Sequence, residues 1–284
     1  MRDLCAVGDL HWLIVCSRLS RPGTGTPAIE RLFGNDAAIV STLAARSGLS
    51  CSLFPTNVIA LSDGQPLLNV LRQAGVDISQ IDTRGVTTPT TFLALHLDSY
   101  ERVFRVTDYA FRAHTSRSLP ASRWVYLDLY EKHLQERLAL LHTCLQAGAR
   151  CLVNLSASSI EEKARLLTTM PSLDVVQIGG SWRVEEARIK GSQIRQMCRA
   201  QAVVITLGSR GVVLVDQHGD EYIPAEPIRP LRTIGAGASF AAGLLAKLAR
   251  GATCREAARF ASREAAAFCT LRHNPLAVRG REEE

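Results

Sequence analysis

Two glycines stand two apart in Thr233-Ile234-Gly235-Ala236-Gly237-Ala238-Ser239-Phe240, and an apolar helical run begins directly behind them. Glycine lets a backbone turn tightly, so several N–H groups can point the same way where the helix starts. The helix end adds a partial positive charge, and together these suit a phosphate or another anion. Phe240, Leu244, Leu245 and Leu248 recur at helical spacing, and Arg250-Gly251 closes the run. The anion hole expected from this stretch is Gly235, Ala236 and Gly237. The same eight residues also suit an ordinary glycine-rich helix cap, because short glycine motifs are weak signals alone.

Such a turn needs a scaffold, and the chain supplies one by alternation. Leu4–Asp9, Trp124–Leu129, Cys151–Leu155, Asp174–Ile178 and Ala202–Leu207 read as short buried strands, with helical patterns between successive runs from Trp124 onward. That order implies βαβ units and a mainly parallel sheet covered on both faces. Residues 17 to 35 read as irregular, Asp36 as the cap of a helix over Ala37–Ala45, and Ser50–Pro55 and Asn57–Leu61 as strand candidates. Gln65–Ala74 reads as an amphipathic helix closed by Gly75. Thr90–His96 and Arg102–Val106 form a hairpin pattern, as do Val212–Asp216 and Glu221–Ile223. Two helices, about 236–250 and 253–271, end the fold. No internal repeat or linker marks a second domain, so one domain over 1–284 is expected.

Composition narrows the function classes. With 284 residues, 46% hydrophobic content and no apolar run near the ~20 residues of a membrane span, the sequence reads as globular, with no membrane partner. Met1–Cys16 is interrupted by Asp3, Gly8-Asp9 and His11, unlike a signal peptide. The eight cysteines at 5, 16, 51, 144, 151, 198, 254 and 269 contain no Cys-x-x-Cys pair, so reduced, buried thiols in a cytoplasm are expected and no metal site. The net charge of +6 suits a nucleotide or phosphorylated ligand. Nucleic acid is not expected, since the basic residues are dispersed and aromatics make up only 6%.

From Gly235 onward, Gly-Ala-Gly-x-Ser-Phe, a small-residue helix ending Leu-Ala-Arg-Gly and then Cys254-Arg255-Glu256-Ala257-Ala258-Arg259-Phe260-Ala261 resemble the second signature of the ribokinase/PfkB carbohydrate-kinase family. Val203–Val212, containing Gly208-Ser209-Arg210-Gly211, looks like the family's nucleotide segment. Leu71–Asp77 followed by Thr88-Pro89-Thr90-Thr91-Phe92 looks like the start of its β lid. The resemblance implies an α/β fold, a ribokinase-like three-layer αβα sandwich with a mainly parallel sheet and a small β lid from about 11–35 and 86–108. It further implies ATP with Mg2+, a small-molecule ligand, and a homodimer through the lid. Nucleotide contacts carried over are Thr206, Leu207, Gly208, Ser209, Gly211 and Ser262, the last standing where the family commonly has Asn.

The chain departs from the family where the acceptor binds. The family's base is an Asp that takes the proton of the substrate hydroxyl, and its position here is Ala238; the preceding Asp position is Arg232. The sugar-binding Asp falls on Leu13. The first signature, Gly-Gly-x-x-x-Asn, falls on Gly34-Asn35-Asp36-Ala37-Ala38-Ile39, which puts Ile39 at the ligand-binding Asn. The Asn-x-x-Glu that organises magnesium is absent near Gly179–Trp182, and Glu185 and Glu186 read as a solvated helix face. Five or six departures together point to natural divergence rather than to one engineered change. The expectation is a pseudokinase or a strongly impaired ATP-dependent phosphotransferase. The alternatives are an active kinase with an altered pocket, and new chemistry drawing on Asp9, His11, Asp36 or Tyr130 at the sheet's carboxyl edge. Arg232 offers a guanidinium to an anion beside the turn, or else is a surface loop residue.

Overall fold

A computed structural model describes residues 1–17, 28–95, 102–106, 119–130, 132–155 and 159–278. In chain order the elements are β1 (Arg2–Gly8), β2 (His11–Ser17), β3 (Ala28–Gly34), α1 (Asp36–Arg46), β4 (Cys51–Pro55), α2 (Leu61–Gln73), β5 (Thr90–Leu95) and β6 (Arg102–Val106). There follow β7 (Ser122–Asp128), α3 (Leu134–Gln146), β8 (Arg150–Leu155), α4 (Ile160–Leu166), β9 (Leu173–Gly179), α5 (Val184–Cys198), β10 (Ala200–Thr206), β11 (Val212–Asp216), β12 (Gly219–Ile223), α6 (Ala236–Leu248) and α7 (Cys254–Thr270).

An eight-stranded sheet runs β12-β11-β10-β9-β8-β7-β1-β4, parallel from β4 to β10 and antiparallel beyond. Val203, Val204 and Ile205 are wholly buried, as a strand covered on both faces requires. One face packs with α1, α6 and α7, the other with α3, α4 and α5. α6 is built almost entirely of small and apolar residues because it is buried on nearly every side, lying against both α1 and α7. A second sheet, β3-β2-β5-β6, corresponds to the expected lid. A mainly parallel α/β sheet covered on both faces, with a small second sheet, is the architecture that the resemblance implies.

Three expectations are corrected. Ala28–Gly34 is a strand rather than irregular chain, and β3 pairs antiparallel with β2 from His11↔Gly34 to Ser17↔Ala28. Its charged Glu30 and Arg31 belong to a sheet edge that is also latched by the chain's last described residues. Phe33 N–H donates to Leu276 O (2.9 Å) and Val278 N–H to Arg31 O (3.2 Å). Asn57–Leu61 is not a strand: α2 starts at Leu61, a turn earlier than Gln65, and includes Pro66. That first turn is pinned because Thr88 N–H and Oγ1–H both donate to the Asp63 carboxylate. Finally, Asn35 rather than Asp36 caps α1, its Oδ1 accepting from Asp36 N–H at 2.7 Å. The expected turn at 97–101, parts of both lid segments (18–27, 96–101 and 107–108) and the 279–284 tail lie outside the described residues.

Candidate functional site

In this sheet β1 lies between β4, which follows it through α1, and β7, which lies on the other side. Connections leave the sheet in opposite directions there, and ligands of open α/β sheets bind beyond the strand ends at such a point. The side chains gathered at that edge are Asp9, His11, Asn35, Asp36, Asp128, Tyr130, Arg137 and Asn154.

Arg137 of α3 is fully buried and bridges two carboxylates: Nη2 donates to Asp9 Oδ2 at 2.7 Å and Nη1 to Asp128 Oδ1 at 2.5 Å. Its Nε donates to Lys132 O at 3.2 Å. Asp9 also accepts from Thr56 Oγ1–H, and Asn35 Nδ2 reaches its Oδ2 at 3.4 Å. Burial pushes the Asp128 carboxyl up, Arg137 pulls it down, and the charges of Asp9 and Asp36 push it up again. His11 of β2 is 3% exposed and lies 3.2 Å through Nδ1 from Thr91 Oγ1. Burial holds His11 down at about 4, with Asp9 raising it and Arg137 and Lys132 lowering it further. Asp9, Arg137 and Asp128 thus form a buried ion triad at the ends of β1 and β7.

Asp36 begins α1 in a different state. Its Oδ2 accepts from Tyr130 Oη–H at 2.7 Å and from Asn154 Nδ2 at 3.1 Å. Burial raises the Asp36 carboxyl above its ordinary range, opposed by those two hydrogen bonds. Leu13 and Ile39, where the resemblance implies polar ligand contacts, are buried and apolar, at 8% and 3% exposure. Gly34 abuts the Leu13 Cβ, which a Cβ at 34 would meet at 3.2 Å.

The glycine turn sits at the N-terminus of α6. Gly235 is the left-handed N-cap (φ +84), and a Cβ there would strike Leu276 Cδ1 at 2.8 Å. A Cβ on Gly237 would meet nothing within 4 Å, so this side of the turn is open. Ala236 N–H turns back to Thr233 O and Ser239 N–H takes Gly235 O. The N–H groups of Gly237 and Ala238 have no acceptor among the described residues. Ala238 itself is 2% exposed, a methyl group set in the core. Beneath the turn, Gln177 Nε2 of β9 donates to Gly237 O at 3.1 Å. Arg232 does not face this turn with free donors. Its guanidinium binds Leu271 O, Arg272 O (3.2 Å) and His273 O (3.3 Å), tying the start of the loop to the end of α7.

At the end of β10, Thr206 is half-buried and Leu207 N–H closes a turn onto Gly211 O at 2.8 Å. Gly208 (φ +61) and Ser209 are exposed, with open space at the Gly208 Cβ position. Gly211 has another reason to be glycine: its Cβ would lie 2.2 Å from Ile223 O, so the close approach is to the chain's own backbone. Ser262 is half-buried on α7. Glu186 accepts from Arg183 N–H at 3.0 Å as part of the α5 cap, and Glu185 pairs with Arg188 at 3.1 Å. Among the described residues no three His, Cys, Asp or Glu side chains cluster as ligands for a metal ion. No described helix is long and apolar enough to cross a membrane.

Sequence reasoning brought out Asp9, His11, Asp36, Tyr130 and the glycine turn, but missed Arg137, Asp128, Asn154 and Gln177. The available signal was a polar residue breaking the apolar run late in each of three strands, in Tyr126-Leu127-Asp128, Val153-Asn154 and Val176-Gln177. Register sets these three side by side, Asp128↔Asn154 and Asn154↔Gln177.

The pattern of the pfkB family carbohydrate kinase matches residues 36–276, and the chain belongs to that family. It is 27% identical over 243 residues to the fructoselysine 6-kinase of Escherichia coli (strain K12), covering 81% of this chain and 87% of that protein. It is 20% identical over 251 residues to the ATP-dependent 6-phosphofructokinase isozyme 2 of the same organism, covering 80% and 78% respectively. The ribokinase of Cryptococcus neoformans var. grubii serotype A, solved in complex with ADP, superposes with a TM-score of 0.78 at 18% identity, covering 98% of this chain and 97% of that one.

Proposed function

We propose that this PfkB-family carbohydrate or nucleoside kinase homologue is a single-domain protein that holds a nucleotide or phosphorylated small molecule at the N-terminus of α6. We propose further that it carries out ATP-dependent phosphoryl transfer weakly or not at all. The observation that supports this most directly is the contrast within three residues. Gly237 presents an open face, its N–H without an acceptor among the described residues, while Ala238 puts a buried methyl where the resemblance implies a carboxylate.

Two N–H groups at a helix end can hold a phosphate without any side chain. Loss of a general base typically lowers a rate by roughly 10²–10⁴, so binding outlasts chemistry. Leu13 and Ile39 remove hydrogen-bond partners that a polyol would need. The ADP complex of the Cryptococcus ribokinase supports a nucleotide as the ligand. ATP is the expected phosphoryl donor; no residue is assigned to magnesium, since no ligand cluster is present among the described residues. A cytoplasmic setting and a homodimer through the small sheet remain part of this proposal by resemblance. A second reading, an active kinase with an altered pocket, is favoured by the Asp36 carboxylate at the neighbouring helix end.

Thermal-shift titration with ADP, ATP and ATP plus Mg2+ tests the binding half, and a stabilisation by ADP is expected. The chemical half is tested with Ala238→Asp against a panel of sugars and nucleosides. The variant is expected to gain little, because Leu13 and Ile39 remain. A robust gain of sugar phosphorylation would contradict the reading of the acceptor side.

A further inference from the structure

α1 and α6 pack together, and both begin at the carboxyl edge of the large sheet. Beneath their first turns runs the polar row Asp128, Asn154 and Gln177, in register across β7, β8 and β9. The row joins the two helix ends: Asn154 holds Asp36 and Gln177 holds the Gly237 carbonyl, each at 3.1 Å. β8 and β9 are neighbours, so the two contacts leave the sheet from adjacent strands, ~4.8 Å apart.

Two further observations point to a ligand there. Asp36 has one oxygen fixed by Tyr130 and Asn154, while its Oδ1 takes no donor among the described residues. Gln177 Oε1 is buried, at 3% residue exposure, and also lacks a donor. The other carboxylates of the edge, Asp9 and Asp128, are ion-paired to Arg137 and 2% and 0% exposed; Asp128 keeps a buried Oδ2 without a donor among the described residues, but its other oxygen is neutralised by the guanidinium.

We propose that Asp36 is the catalytic proton acceptor of this chain, in place of the carboxylate absent at 238. The inference rests on the second reading above, a kinase that still transfers phosphoryl with an altered pocket, and deepens it. The acceptor hydroxyl oxygen forms a bond to the γ-phosphorus of a bound nucleoside triphosphate. The bond from that phosphorus to the β–γ bridging oxygen breaks, and its electron pair leaves with the nucleoside diphosphate. The hydroxyl proton passes to Asp36 Oδ1 and from there to solvent. Tyr130 and Asn154 keep the carboxylate oriented by holding Oδ2. Asp36 must be ionised to act, so the rate falls on acidification through its raised pKa. Tyr126, Tyr130 and Asp128 are the titratable groups facing it from β7 and the turn after it.

The experiment measures ADP release by the full chain with ATP and Mg2+, using water, polyols, sugars and nucleosides as acceptors, beside calorimetric ADP binding. Asp36→Asn is expected to lower ADP release by roughly 100-fold or more while ADP affinity stays within about two-fold. Tyr130→Phe, which removes a donor to the charged carboxylate, is expected to move the acidic limb of the rate profile to higher pH. It supplies the test if Asp36→Asn does not fold. Equal release by wild type and Asp36→Asn, or an unmoved acidic limb in Tyr130→Phe, overturns the assignment. So does ADP binding without release above the Asp36→Asn level on any acceptor. Absence of ADP binding to the wild type would instead remove the reading of the glycine turn, and this inference with it.

Discussion

The two helix ends that meet at the carboxyl edge have been resolved in opposite ways. α6 starts bare, with a left-handed glycine, a second glycine facing open space and two N–H groups without acceptors among the described residues. α1 starts covered: Asn35 caps it, Asp36 supplies a negative charge at its positive end, and Arg137 neutralises the two carboxylates alongside. On the proposed reading, an anion is held at α6 and discouraged at α1. If that reading holds, the fold keeps phosphate recognition, which main-chain geometry provides, while side-chain recognition of the acceptor changes. Backbone donors do not mutate, whereas Leu13, Ile39 and Ala238 are single side-chain choices.

The sharpest way to break the covered end is to remove its cation. Arg137→Met leaves Asp9 and Asp128 buried without a counter-charge, and should destabilise the fold by about 3–5 kcal/mol in urea unfolding. Adding Asp9→Asn and Asp128→Asn should recover much of that loss. A small effect of Arg137→Met alone would mean that the crevice is wet and the triad loosely held.

Acid should weaken the same end. His11 has a folded-state pKa of about 4 against an ordinary 6.5, so the unfolded chain binds the proton more readily. Its contribution is complete above pH 6.5 and lost as pH falls through 4, at most about 3 kcal/mol by linkage. His11→Asn should flatten the stability difference over that window, measured as urea midpoints from pH 7 to 4. Parallel curves for the two proteins would contradict a buried, neutral His11.

At the bare end the two glycines should separate cleanly. Gly235→Ala meets both a left-handed backbone and the Leu276 side chain, and should cost about 2 kcal/mol. Gly237→Ala, with room for its Cβ, should stay within about 0.5 kcal/mol of wild type.

Much of this was legible in the residues themselves. The alternating strands, the glycine turn and the departures at Leu13, Ile39 and Ala238 were all readable, because each rests on local spacing or a local motif. Arg137 was not, since an arginine in Leu134–Gln146 resembles a solvent-facing helix residue, and its partner Asp9 lies 128 positions away. β3 was obscured by Glu30 and Arg31, whose exposure fits an edge strand that only pairing with β2 and the 276–278 segment makes regular. Asp36 was placed correctly at the start of α1 but given the capping role that Asn35 performs, because adjacent Asn and Asp are interchangeable by propensity.

The central claim, that an open anion-holding turn survives at α6, is tested most directly by calorimetric titration of ADP into the wild type and Gly237→Asp. The added carboxylate has room and favours the helix end, so the variant should be as stable as the wild type. Saturable ADP binding by the wild type, with at least a ten-fold loss in a folded Gly237→Asp, is the predicted result. No binding by the wild type, or equal binding by both, would contradict it.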